Sequence, residues 1–171
     1  DPSITGQEAH PTGILATTGI NVVSGIATNG EAPQRPHLLE MIADCEQANG
    51  MFDSQAFIFN SQGFNKLANT YTNSGSSRFV LEDSRFLGYP IFRSQQVPAN
   101  LTHGTTDNTS AAFYGAWEHL ILGIWGEPTL LIDRVANANS GGIRVHVHVD
   151  ADCHVRYPAA FSCVPSGWVT T

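Results

Sequence analysis

Between Ser110 and Val164 three apolar runs follow one another, separated by short polar breaks. The first covers residues 111–117; the second, 120–125, leads into 129–133; the third starts at Gly142, passes Asp150 and Cys153, and ends at Phe161. All three predict strands. In the third, Ile143, Val145, Val147 and Val149 alternate with Arg144, His146, His148 and Asp150, giving one apolar and one wet face at a period of two. An apolar face left in water forfeits about 1.5–3 kcal/mol per large side chain, so such a strand requires a partner layer.

Upstream the pattern changes twice. Residues 1–12 carry Pro2, Gly6 and Pro11 without periodicity and predict a loop or linker. Gly13-Ile-Leu-Ala-Thr-Thr-Gly-Ile20 and then Val22-Val23 predict extended chain, broken by Asn29-Gly30 and by Pro33 and Pro36. Pro36 suits the first turn of a helix, and Leu38, Met41, Ile42, Cys45 and Ala48 follow at helical spacing up to a stop at Asn49-Gly50. Residues 56–60 predict a strand. Ser61 is then placed to cap a second helix with Phe64, Leu67, Ala68 and Tyr71 on one face. A polar loop over 72–77, strand pieces at 79–81 and 88–94 (Pro90 marking an edge or a strand start) and a polar turn region at 101–109 complete the reading. The order helix, strand, helix, then mostly strands predicts an α+β layer domain with helices covering a sheet.

Composition narrows the function classes. The 171 residues suffice for one domain, or one domain with a piece of another, and 42% are hydrophobic while only 13% are charged. Fifteen acidic against eight basic residues give a net charge of -7, and no Lys/Arg cluster could follow a phosphate backbone, so no direct sequence-specific nucleic-acid partner is expected. Cys45, Cys153 and Cys163 are an odd count without paired spacing, which favours a reducing compartment over a disulfide framework. No apolar run approaches the roughly 20 residues of a membrane-spanning helix, and no membrane partner is expected. The start at Asp1-Pro2, without Met and in turn-rich surroundings, gives the expectation of a portion of something longer.

Candidate chemistry is thin. His146 and His148, two apart on a strand, stand about 6.6 Å apart on one face and could grip an ion, but a third ligand lies too far along; the plainer reading is the wet face of a half-buried strand. Glu118-His119 would point to opposite faces on a strand and could not easily act together, and the pair is read as a turn between two runs. There is no Gly-x-Ser-x-Gly elbow, and Gly141-Gly142 precedes a strand rather than a helix. Cys45 lies on the apolar helical stripe and reads as core, and Trp117 and Trp125 read as core or interface residues. No residue is assigned a catalytic, cofactor or metal role. An alternative reading is a metal- or small-molecule-binding, cupin-like β-rich protein using His146 and His148.

Several segments, in order, resemble the C-terminal part of tailed-phage major capsid proteins of the Hong Kong 97 type, a family shared with prophages and encapsulin shells. Gly13–Ile20 resembles the glycine-bounded lead into the axial domain, and Ala56-Phe-Ile-Phe-Asn60 with Phe64 and Leu67 resembles its strand-asparagine-helix step. Phe86-Leu-Gly-Tyr-Pro-Ile-Phe-Arg-Ser94 with Val97-Pro98, the run from Phe113 to Trp125, and Gly142–Val149 followed by Asp152, Val155 and Pro158-Ala-Ala-Phe161 resemble three further family segments. Ala116-Trp117 stands where the family has an aspartate.

The resemblance implies an axial domain, a central mixed sheet flanked by helices, plus C-terminal strands of the peripheral domain. Its division would be 1–20 as linker and start, 21–140 as axial domain, and 141–171 as terminal strands returning to the peripheral domain. The arm, extended loop and spine helix of the family would precede Asp1, leaving the terminal strands short of partners. The implied function is a non-enzymatic shell subunit, without cofactor, enclosing DNA in a virion head or forming an encapsulin-like compartment. Its partners would be copies of itself, as pentamers and hexamers, with scaffold, portal or protease as helpers, and assembly would take place in the bacterial cytoplasm. The loop matching the family's axial contacts would present Asn73, Ser74, Ser76, Arg78, Glu82 and Asp83 to neighbouring subunits.

Overall fold

The computed structural model describes residues 13–170 apart from 51–52, 73–74, 76, 82–83, 134 and 137. The chain divides into two compact units, a larger one from residues 14–120 with 155–171 and a smaller one that includes 121–154.

In the larger unit, β1 (Asn21–Val22), β2 (Gln55–Phe59), β3 (Arg85–Phe86), β4 (Tyr89–Arg93), β5 (Leu101–His103), β6 (Thr106–Ala116) and β9 (Phe161–Val169) form one mixed sheet. Its order is β1-β9-β6-β2-β4-β3, with β5 also on β6. β1 runs parallel to β9 and β2 to β4, whereas β6 is antiparallel to β2, β5 and β9. The register sets Phe57 opposite Tyr114, Phe59 opposite Ala112, and Ala112 opposite Val164.

Because side chains alternate, these residues share one face, and that face is covered by helices α1 (Arg35–Gln47) and α2 (Ser61–Ala68). Leu38, Met41, Ile42 and Cys45 of α1 and Leu67 of α2 close over Phe57, Phe59, Tyr114, Val164 and Trp168. The ring centroids of Phe57 and Tyr114 lie 4.4 Å apart, and those of Phe59 and Trp168 5.2 Å. On the other face Ala111, Phe113 and Cys163 pack with Val97, Ile20 and Ile14 from loops, while Trp117 sets its ring edge-on to Phe161 at 5.6 Å.

Local chemistry explains most element ends. Gln34 and His37 exchange a capping box at the start of α1, and Pro36 sits in its first turn. The helix stops where Asn49 turns left-handed (φ 54°) and Gly50 N–H donates back to the Cys45 carbonyl at 2.7 Å. For α2 the cap is Asn60, not Ser61: its side-chain oxygen accepts from Gly63 N–H at 2.7 Å, and Ser61 is already the first helical residue. Tyr71, expected on the apolar face of α2, lies beyond its end and is exposed.

Three further expectations change. Residues 14–16 form a 3-10 turn, so the extended stretch shrinks to β1, whose Asn21 amide donates to the carbonyls of Ala159 and Phe161, both at 3.0 Å. Residues 101–109, read as polar turn, are the β5–β6 hairpin. From Thr102 to Asn108 the polar side chains misled because they lie near a sheet end, where water reaches them, while Thr109 is buried with its hydroxyl donating to the Leu101 carbonyl at 3.0 Å. The third apolar run splits into β8 (Arg144–Val155), a 3-10 turn at Pro158–Ala160, and β9.

Among the described residues, the smaller unit is β7 (Leu120–Asp133) paired with β8. Ten residues join them, too few for a parallel crossover, so the pair is an antiparallel hairpin. β8 was expected to be half-buried. Instead Val145, Val147 and Val149 on its apolar face are exposed, as are Arg144, His148 and Asp150 on the other.

Candidate assembly surfaces

Among the described residues, two regions that group exposed apolar side chains are each shaped by identifiable local devices. The first is the predicted contact loop. Of its six named residues only Arg78 is described; Asn73, Ser74, Ser76, Glu82 and Asp83 lie outside the described residues. Arg78 is exposed, and its carbonyl accepts from Thr72 N–H at 2.9 Å and from the Thr72 hydroxyl at 3.2 Å. Below it Tyr71 and Phe79 form an antiparallel bridge with stacked rings, 4.9 Å between centroids and 19° between planes.

Both rings are exposed. Next in sequence, Leu87 and Gly88 carry φ of 50° and 89°, the pair of left-handed residues that a tight two-residue hairpin needs between β3 and β4. Glycine adopts this freely. Leu87 does so at a cost and remains exposed, with Arg85 Nη1 bracing the turn through the Gly88 carbonyl at 2.9 Å. The aromatic base of the loop was missed in the sequence, although Tyr71 and Phe79 flanking a polar, Gly-containing stretch was the signal available.

The second surface is the β7–β8 hairpin. Along β7, Ile121, Leu122, Ile124, Trp125, Leu130, Leu131 and Ile132 are all exposed, Leu122 at 66%. Since neighbours on a strand point to opposite faces, β7 is apolar on both. β8 is apolar on one face only. On its other face the His146 and His148 rings lie 6.3 Å apart and nearly parallel, at 10°. At the turn, Asp133 accepts from Val135 N–H at 2.8 Å and Ala136 N–H at 3.1 Å, which hold its carboxyl below the usual carboxylate range, with His146 adding to the effect.

Cys45, Cys163 and Tyr114 are titratable groups of the core. Burial pushes the Cys45 thiol up to about 12 and the Cys163 thiol to about 11, so neither is a nucleophile at neutral pH. Burial also raises Tyr114, whose hydroxyl donates to Gln55 at 2.8 Å while Gln55 donates to the Gly50 carbonyl at 2.9 Å. Glu118 and His119 sit on a 3-10 turn between β6 and β7, as read, but the opposite-faces argument does not apply there and the two side chains approach to 3.8 Å. His119 packs on Tyr157, and among the described residues no three His, Cys, Asp or Glu gather as a metal set.

The described residues thus form a mixed sheet with two helices on one face and a hairpin with long exposed apolar runs, and among them no metal-ligating cluster gathers. The Phage capsid family model matches residues 3–164. The chain belongs to that family. The major capsid protein of Halomonas phage phiHAP-1 is 23% identical over 158 residues, which cover 92% of this chain and 24% of that protein. Among solved structures, Gordonia phage Cozz has a TM-score of 0.62 at 20% identity, covering 95% of this chain and 52% of that one.

The capsid of a native GTA particle has a TM-score of 0.63 at 15% identity, covering 90% of this chain and 55% of that one, and a virus-like particle from Pyrococcus furiosus 0.59 at 16%, covering 88% and 58%. The chain thus spans about a quarter of the curated relative and little more than half of these structures. Phage capsid membership also overturns the cupin-like alternative. The large sheet is open and ends at β1 and β3 instead of closing into a barrel, and the two histidines belong to a separate two-stranded hairpin.

Proposed function

We propose that this chain is part of a major capsid protein: a structural, non-enzymatic subunit that associates with copies of itself into an icosahedral shell enclosing DNA in a virion. The observation that carries the reading is the family match over residues 3–164. The uncovered hairpin supports it, since a domain with a self-sufficient function does not leave two apolar strand faces in water. The larger unit corresponds to the axial domain, with β9 returning into it, and the hairpin to the peripheral domain. The division into two compact units, 14–120 with 155–171 and a smaller one that includes 121–154, supports a two-domain reading of this kind.

The loop from Thr72 to Asp83 is the contact region around the shell's five-fold and six-fold centres, with Arg78 in it and the Tyr71–Phe79 stack at its base. The net charge of -7 suits a container that repels its nucleic acid and leaves loading to a motor. Assembly takes place in the bacterial cytoplasm, with scaffold, portal and protease as helpers. The test is expression of the full-length protein and electron microscopy of the product. Closed particles are expected, and deletion of residues 71–77 should abolish them. Unassembled full-length protein under every condition that keeps it folded would refute the shell reading; normal particles from the deletion variant would refute the loop assignment alone. Closed particles made in phage infection that contain no DNA would favour a compartment over a virion.

A further inference from the structure

One row of side chains crosses the larger sheet from edge to edge. The register sets Val22 beside Cys163, Cys163 beside Phe113, Phe113 beside Ile58 and Ile58 beside Phe92, and residues opposite one another on neighbouring strands share a face. Val97, Ile14 and Ile20 pack over the middle of this row, where Cys163 and Phe113 are 3% and 9% exposed. The cover stops short of both ends. Val22 on β1 is 55% exposed and Phe92 on β4 57%, so each side of the sheet presents one unpartnered end of the row.

The two sides also differ in charge. Beside β1, Glu40 Oε1 accepts from the Ser24 N–H and hydroxyl, both at 2.9 Å, and Asp44 accepts at 3.1 Å from the hydroxyl of Ser162, the β9 partner of Asn21. Beside Phe92, Arg93 lies over the Phe64 ring at 4.6 Å, and Arg85 stands opposite Pro90, which shares the Phe92 face. Among the described residues no carboxylate falls between Lys66 and Arg93, Glu82 and Asp83 lying outside them. The outermost strands β1 and β3 are two residues each, too short to extend a hydrogen-bond ladder far, so what these sides offer a partner is side chains.

We infer that copies of this chain join head to tail through the ends of this row, Phe92 with Arg85 and Arg93 of one copy meeting Val22 with Glu40 and Asp44 of the next. The inference rests on the capsid reading above and specifies which sides of the sheet meet and by what chemistry. The occupant is a second copy because each side carries the charge that complements the other, and because the apolar end that one leaves open is the continuation of the row that the other lacks. The two sides are unlike, so the contact is heterologous, and a heterologous contact closes into a ring when its rotation allows.

Cross-linking of the full-length protein carrying Cys153→Ser tests this, with that parent as background. Val22→Cys copies mixed with Phe92→Cys copies and treated with a short bis-maleimide should give cross-linked dimers, and the double variant a ladder up to the size of a closed ring. Either variant alone should give on the order of 10-fold less. Arg93→Glu, at an exposed position, should lower the yield of the mixture on the order of 10-fold at an unchanged denaturation midpoint, because a carboxylate then faces Glu40 and Asp44 across the join. Cross-links as strong in one variant alone would make the contact isologous and overturn the inference, and a yield that Arg93→Glu does not move would overturn the charge pairing. Closed particles by microscopy without the mixed cross-link overturn the inference and leave the capsid reading standing. The absence of both overturns both.

Discussion

β6 and β7 are consecutive strands of similar apolar content with opposite fates. From Thr109 to Ala116 every residue of β6 is buried, whereas Trp125 on β7 is 61% exposed and its neighbours match it. β6 lies between β2 and β9 with α1 over one face and loops over the other; among the described residues β7 pairs with β8 and no other strand. Apolar sequence therefore states a need for cover, and the larger unit meets that need internally while the hairpin does not. The difference separates residues that hold the fold from residues that hold an assembly.

The sharpest way to break this comparison is to remove bulk from each side of it. Phe57→Ala, at the centre of the larger unit, should cost about 3–5 kcal/mol in chemical denaturation, whereas Val147→Ala on the hairpin should stay within about 0.5 kcal/mol in this chain. Equal losses would show that the hairpin is covered after all. Next, Tyr114→Phe leaves Gln55 short of a buried donor and should cost about 1–3 kcal/mol, seen as a lower denaturation midpoint at unchanged slope. Asn60→Ala removes the α2 cap and should cost about 1 kcal/mol, largely restored by Asn60→Ser.

The last pair of expectations uses the thiols. Cys153 lies on the hairpin and is partly exposed, while Cys45 and Cys163 are buried, so at pH 8 a water-soluble disulfide reagent should modify Cys153 on the order of 100-fold faster than the other two. Raising the folded Cys45 value from 9 to about 12 means that the folded state keeps the proton which the unfolded state releases. Its contribution to stability is complete below pH 9 and is lost as pH climbs from 9 toward about 12, so the midpoint should fall across that window, and less so in Cys45→Ala. A flat profile would mean Cys45 is not desolvated.

Much of this arrangement was readable beforehand. Pro36, the stripe from Leu38 to Cys45 and Asn49-Gly50 marked α1 to within a residue or two, because helix ends are governed by a few neighbouring backbone groups. The same locality exposed the weak points. Asn60 and Ser61 are both good caps, and only the turn geometry chose between them; Thr106 to Thr109 carry polar side chains yet extend β6, because the ladder to β5 supplies hydrogen bonds that side-chain polarity does not reveal. Leu87 in a left-handed turn contradicts its own preference and is held there by the β3–β4 pairing.

Taken alone, the sequence determined which segments extend, which coil, and which side chains along each strand share a face, since those depend on periods of 2 and 3.6 within a few residues. The tertiary structure decided which of those faces are covered: that Tyr114 meets Phe57 beneath α1, that β9 inserts between β1 and β6, and that Val145, Val147 and Val149 of β8 stay exposed. The physical reason is that burial belongs to a pair of surfaces. One chain can specify its own half of the pair by periodicity, but the other half is settled only when distant segments, or other chains, come into register.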